Sequence, residues 1–176
     1  MNKQKLNLIE QQAEKALRDS GAWHVPVPID RVAHYLNLKT EESVLGDDIS
    51  GLLVVEKKRG AIGYNSGHAP VRQRFTIAHE IGHYVVHVKN SPESRLFVDR
   101  YVAFRDDESS AGSDQEEVEA NAFGAALLMP ARLVREEIKK HNLDLDDEED
   151  LTALAKRFSV STSAMSYRLV NLGLLR

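Results

Sequence analysis

Arg72-Gln73-Arg74-Phe75-Thr76-Ile77-Ala78-His79-Glu80-Ile81-Gly82-His83-Tyr84-Val85-Val86-His87 is the stretch on which the reading of this chain turns. It reads as a helix carrying His-Glu-x-x-His. Side chains four residues apart on a helix share a face, with Cβ atoms roughly 5–6 Å apart. His79 and His83 can therefore reach one metal ion, at about 2.0–2.1 Å per bond for zinc. Glu80, one step round the helix, can touch the metal's water without being a ligand. That is the zinc-hydrolase arrangement, with the carboxylate as general base. The apolar, helix-compatible flanks disfavour the bland reading of a solvated helix with two chance histidines.

Outward from this stretch, Ser66 to Pro70 is a loop, and Pro70 suits a helix start. Gly82 weakens the helix by around 1 kcal/mol against alanine and so marks a close neighbour, a strand or a substrate backbone. Asn90-Ser91-Pro92 ends the helix. Upstream, Ile49 to Asn65 reads as a β-hairpin turning at Lys57 to Gly60. Leu52 to Val55 is apolar on both faces, so a helix covers one side of the sheet. An edge strand beside the metal cleft would let a peptide add to it through main-chain hydrogen bonds. Residues 3–19 are helical, with Leu6, Ile9, Ala13, Ala16 and Leu17 on one side and Gly21 as the stop. Asp30 is read as the cap of a short helix through Leu36.

Downstream, Leu96 to Phe104 has strand propensity. Asp106 to Glu117 reads as an acidic loop, a flap or a solvated connection. Val118 to Met129 is the second informative helix. Pro130 interrupts it, and an amphipathic helix runs to about His141. Asn142 to Asp150 reads as a solvated acidic linker. Leu151 to Arg176 reads helix–turn–helix, with Ser161 as N-cap and Gly173 as stop.

The metal needs a third ligand, since a catalytic zinc usually has three from the protein plus water. His87 continues the ladder, but the i and i+8 side chains of a straight helix are about 12 Å apart along the axis. A packed or hydrogen-bonded role suits it better. Glu116, Glu117 and Glu119 open the second helix. Glu117 ranks first, because Asn121 follows on the same face and can accept the other ring N–H of His79, as metal-bound histidines require. Glu119 ranks second. A donor to the developing oxyanion is also expected. Tyr84, His87, His68 and Tyr167 are the choices, and the sequence does not decide among them.

Composition narrows the function classes. The chain has 176 residues, 42% hydrophobic and 28% charged, as in a globular protein of one domain, or of one domain with a small appendage. A net charge of −4 gives no general affinity for nucleic acid or acidic membranes. With no cysteine there is no disulfide, thiolate zinc site or cysteine nucleophile. The polar N-terminus lacks a signal core, and no apolar run reaches the ~20 residues of a membrane span. A cytoplasmic location is expected.

His79-Glu80-Ile81-Gly82-His83, joined to Glu117-Val118-Glu119-Ala120-Asn121-Ala122-Phe123-Gly124-Ala125-Ala126-Leu127-Leu128-Met129-Pro130, resembles the ImmA/IrrE family of zinc metallopeptidases. The run Arg72 to Ala78 and the tail Leu154 to Ser161 fit it too. The resemblance implies an α+β fold: a gluzincin-like core of small sheet, active-site helix and ligand helix. A core over residues 1–145 and a helical, helix–turn–helix-like tail over 146–176 are expected. It implies one Zn2+ held by His79, His83 and Glu117, with Glu80 as base and Asn121 in support. It also implies a protein substrate, a helix–turn–helix repressor of a mobile element, phage or stress regulon. The family pattern often has alanine where this chain has Gly124, a difference of packing more than chemistry. The runner-up is a regulator that binds DNA or a repressor without proteolysis. Its phosphate contacts would be Lys156, Arg157, Arg168 and Arg176. The acidic segment before the tail and the intact Glu80 speak against it.

Overall fold

The computed structural model describes residues 1–46, 48–56, 59–89, 95–100 and 111–175. It is α+β, with one four-stranded sheet beneath a layer of helices. The first helix, α1 (Lys3–Asp19), buries Ile9, Ala13, Ala16 and Leu17, one stripe at helical spacing. Asn2 caps its start, accepting from the Lys5 N–H at 2.8 Å. Its end is a Schellman turn: Gly21 has φ +67°, and the Ala22 N–H bonds the Leu17 carbonyl at 2.8 Å. Helix α2 (Ile29–Tyr35) starts at Pro28 without a side-chain cap, so Asp30 lies in its first turn rather than before it.

The strands are β1 (Leu38–Ser43), β2 (Ile49–Glu56), β3 (Arg59–Asn65) and β4 (Arg95–Arg100), in the order β1-β3-β2-β4. The expected hairpin is β2–β3, in register Leu53↔Ile62, with its tip at 57–58 outside the described residues. Two features differ from the sequence reading. A further strand, β1, pairs parallel to β3. And β2 is central, so the strand beside the candidate site is β4, which pairs Leu53 with Phe97. Leu53, Val55 and Ile62 are buried on the face toward the helices, whereas Val54, Leu96 and Val98 are exposed on the other. Of the expected strand through Phe104, residues 101–104 lie outside the described residues, as do Asn90 to Pro92 and residues 106–110 of the acidic loop.

Helix α3 (Pro70–His83) lies on the inner face of β2 and β3 and continues into a π-helical turn, Tyr84–Val88. Helix α4 (Ala111–Leu128) packs along α3. It begins earlier than read from the sequence: Ala111 to Glu117 is helix, not loop. Two glycines set the distance between these helices. A Cβ on Gly82 would lie 2.8 Å from the Ala120 carbonyl oxygen, and one on Gly124 would lie 3.2 Å from the His79 backbone nitrogen. The close neighbour signalled by Gly82 is therefore α4.

Pro130 separates α4 from α5 (Ala131–His141). The acidic segment is not a plain linker. Asp147 caps α6 (Glu148–Phe158), accepting from the Glu149 and Asp150 N–H groups at 2.7 and 3.2 Å. Glu148, Glu149 and Asp150 occupy its first turn, where negative charge is stabilised by the helix dipole. A short turn containing Ser159 at φ +53° leads to α7 (Thr162–Asn171), capped by Ser161 as expected. Leu154, Phe158, Met165 and Leu169 join the same buried cluster as Ile9, Phe123 and Leu127. Polar ties reinforce this docking. Arg74 donates to the carbonyls of Ser159 and Val27, at 3.3 and 2.9 Å. Arg168, only 4% exposed, donates to the Met129 carbonyl at 2.9 Å and to both oxygens of Glu10 at 2.5 and 2.8 Å. It is committed inward and is no phosphate contact. Arg176 lies outside the described residues. Among the described residues, no helix is long and apolar enough to cross a membrane.

Candidate metal centre

Three side chains converge where α3 crosses α4. Nε2 of His79 and Nε2 of His83 are 3.0 Å apart. The Glu117 carboxylate brings one oxygen to 3.2 Å from His79 and the other to 3.1 Å from His83. A tetrahedral ion with bonds of about 2.0–2.1 Å would space its ligand atoms by roughly 3.3–3.4 Å. The observed triangle is only slightly tighter, and two imidazole nitrogens with one carboxylate form a donor set that can hold a metal ion. Nδ1 of His79 stands 3.0 Å from Oδ1 of Asn121. An oxygen at that position accepts, so the proton belongs on Nδ1 and the Nε2 lone pair faces the other two ligand atoms. Burial pushes the Glu117 carboxyl up. The hydrogen bonds and charges of His79 and His83 outweigh this and hold it well below the usual carboxylate range.

Glu80 is 0% exposed, on the sheet side of α3. Its Oε1 lies 3.3 Å from the point a Cβ on Gly51 would occupy, and Thr76 Cγ2 lies 2.3 Å from that point. A glycine in β2 thus makes the room in which the Glu80 carboxylate sits. Phe97 on β4 stacks on His83, with ring centroids 4.5 Å apart and planes at 25°. The sequence reading missed both Gly51 and Phe97. A glycine inside an apolar strand is a usable sign of close approach; for Phe97 no local signal exists.

Other residues weighed from the sequence are not brought into the triangle. The π-helical turn advances each residue by a smaller angle than an α-helix, so the His79–His83 spacing does not repeat at His87. His87 Nε2 instead lies 3.2 Å from the Glu116 carbonyl oxygen, and burial lowers its pKa. Glu119 faces α1, with Lys5 Nζ at 2.9 Å and Gln115 Nε2 at 3.0 Å. Tyr84 is packed in the core. Tyr167 stands on α7, 75% exposed. His68 is in the loop before α3.

A family model described as Peptidase_M78, IrrE N-terminal-like domain, matches residues 29–170, from α2 to the end of α7. The chain belongs to this family. Among ImmA/IrrE relatives, the radiation response metalloprotease IrrE of Deinococcus radiodurans is 32% identical over 114 residues, 65% of this chain and 32% of that protein. Uncharacterized immunity region protein 2 of Bacillus phage phi105 is 29% identical over 117 residues, 66% of each. This chain thus matches about a third of the first relative and just under two thirds of the second. A solved Mycobacterium tuberculosis transcriptional regulator superposes with a TM-score of 0.61 at 17% identity, covering 93% of this chain and 46% of that one. At that identity the likeness is one of fold.

Proposed function

We propose that the chain is a zinc-dependent metalloendopeptidase that cuts a protein regulator, with a gluzincin-like core and a helix–turn–helix-like tail docked on it. The observation that carries this is the triangle of His79, His83 and Glu117 beside a buried Glu80. His79, His83 and Glu117 hold the ion, and Asn121 fixes the His79 ring so that its Nε2 stays a ligand. Bound zinc supplies an acidified water and polarises the carbonyl to be attacked. Glu80 takes the proton from the attacking water and returns it to the leaving amine. Glu80 is fully buried, and its carboxylate sits in the room that Gly51 leaves. Phe97 holds the His83 ring by stacking and places β4 alongside, where an extended substrate can add as a further strand. The regulator as substrate rests on family membership and on the phage relative's description as an immunity region protein. A helix–turn–helix repressor encoded beside this chain is the substrate of choice.

The test is zinc-loaded protein incubated with that repressor, alongside Glu80→Gln. The wild type is expected to cut it. Glu80→Gln is expected to keep one zinc per chain by elemental analysis and to lose at least about a hundredfold in rate. Unchanged cleavage by Glu80→Gln would remove Glu80 from the mechanism. A wild-type protein that binds no zinc would end the metallopeptidase reading.

A further inference from the structure

One turn beyond His79 on α3 and Asn121 on α4, residues of both helices and of the tail line a cavity of about 460 Å³. Its walls include Phe75 from α3, Ala125 and Met129 from α4, and Val160, Ala164 and Tyr167 from the tail. The cavity continues the candidate site on both helices. Phe75 lies four residues before His79, and Ala125 four after Asn121, so each shares a face with a residue of the site. Glu117, Asn121 and Ala125 follow one another along the open side of α4.

Its chemistry is apolar. Of its two basic wall residues, Arg168 is bound to Glu10 and Met129, and Arg72 donates to Ser50 at 2.9 Å. The bonds from Arg168 to Met129 and from Arg74 to Ser159 tie α7 and its preceding turn to the core, so the walls are fixed before anything enters. One helical turn is about 5.4 Å, and an extended peptide rises about 3.3 Å per residue. Phe75 is one such turn from His79, whereas Ala125 is two from Glu117, so a leucine- or phenylalanine-sized side chain on the residue next to the bond held at the triangle can enter the cavity at its Phe75 wall.

We infer that this cavity is a specificity subsite: it takes an uncharged apolar side chain, of leucine to phenylalanine size, from a substrate residue flanking the scissile bond. The tail thereby forms part of the substrate-binding surface. This rests on the metallopeptidase reading above. The test uses two pairs of short peptide hydroxamates and the full-length, zinc-loaded protein. Within each pair the compounds differ only in an isobutyl group or a hydrogen, placed before the chelating group in one pair and after it in the other. In at least one pair the isobutyl compound is expected to bind roughly ten- to a hundredfold more tightly. Ala164→Phe, which fills the cavity from α7, is expected to abolish that difference. Hydroxamates that bind equally within both pairs would overturn the subsite and leave the zinc site standing. A difference that persists unchanged in folded Ala164→Phe would also overturn it. If no hydroxamate binds, the metallopeptidase reading fails and the subsite with it. The wild-type comparison decides even if Ala164→Phe does not fold.

Discussion

His79 works through both of its ring nitrogens, and they do different things. Nε2 faces His83 and Glu117, and Nδ1 is fixed by Asn121 at 3.0 Å. Removing the Asn121 amide leaves the ligand atoms in place but frees the ring to rotate or change tautomer. Asn121→Ala is therefore expected to weaken zinc binding about 10–100-fold, measured by competition with a chromophoric chelator, while the circular dichroism spectrum stays unchanged. Glu117 differs from its neighbour Glu119 only in direction. One carboxylate meets two imidazoles across α3, and the other meets Lys5 on α1. The ranking of Glu117 over Glu119 was readable because Asn121 lies on the same helical face. Phe97 was not readable, because its meeting with His83 depends on where a distant strand lands.

At the scale of elements, the site is a property of one helix crossing. α3 and α4 approach closely because Gly82 and Gly124 carry no side chain where each meets the other's backbone. Gly82→Ala gains about 1 kcal/mol of helix propensity. It also puts a methyl group 2.8 Å from a carbonyl oxygen that belongs to a packed helix and cannot step aside. The crossing must open. The net effect expected is a loss of about 1–2 kcal/mol in chemical denaturation, together with weaker zinc binding as Glu117 moves off the histidines. Unchanged zinc affinity in a folded Gly82→Ala protein would argue against the crossing as the determinant of the site. The acidic segment before the tail carries a related lesson. From composition Asn142 to Asp150 is a solvated linker, yet Asp147 to Asp150 form the cap and first turn of α6. Negative charge fits both descriptions, and only the hydrogen bonds from Glu149 and Asp150 to Asp147 distinguish them.

At the scale of the molecule, α1, α4 and α7 are joined through one buried guanidinium. Arg168 holds Glu10 with two hydrogen bonds and the end of α4 with a third. Truncating it leaves Glu10 and the Met129 carbonyl without this partner. Arg168→Ala is expected to cost about 2–4 kcal/mol, seen as a lower melting temperature. Because α7 also walls the apolar cavity, the same change should loosen that cavity while the three ligand atoms stay together. A melting temperature equal to wild type would mean that the tail is held by its apolar contacts alone.

The sequence by itself determined the paired histidines, the glutamate beside them and the helices that carry them. These depend on spacing along one regular helix, and that geometry is the same in any protein. Pattern also disclosed the β2–β3 hairpin, the Ser161 cap and the turn between the last two helices. Only the tertiary structure decided which carboxylate completes the triangle in space, which strand lies alongside, and that the tail lines a cavity together with α3 and α4. Those outcomes depend on contacts between segments far apart in the chain. Their distances are set by where glycines allow backbones to meet, and spacing along the sequence does not encode this.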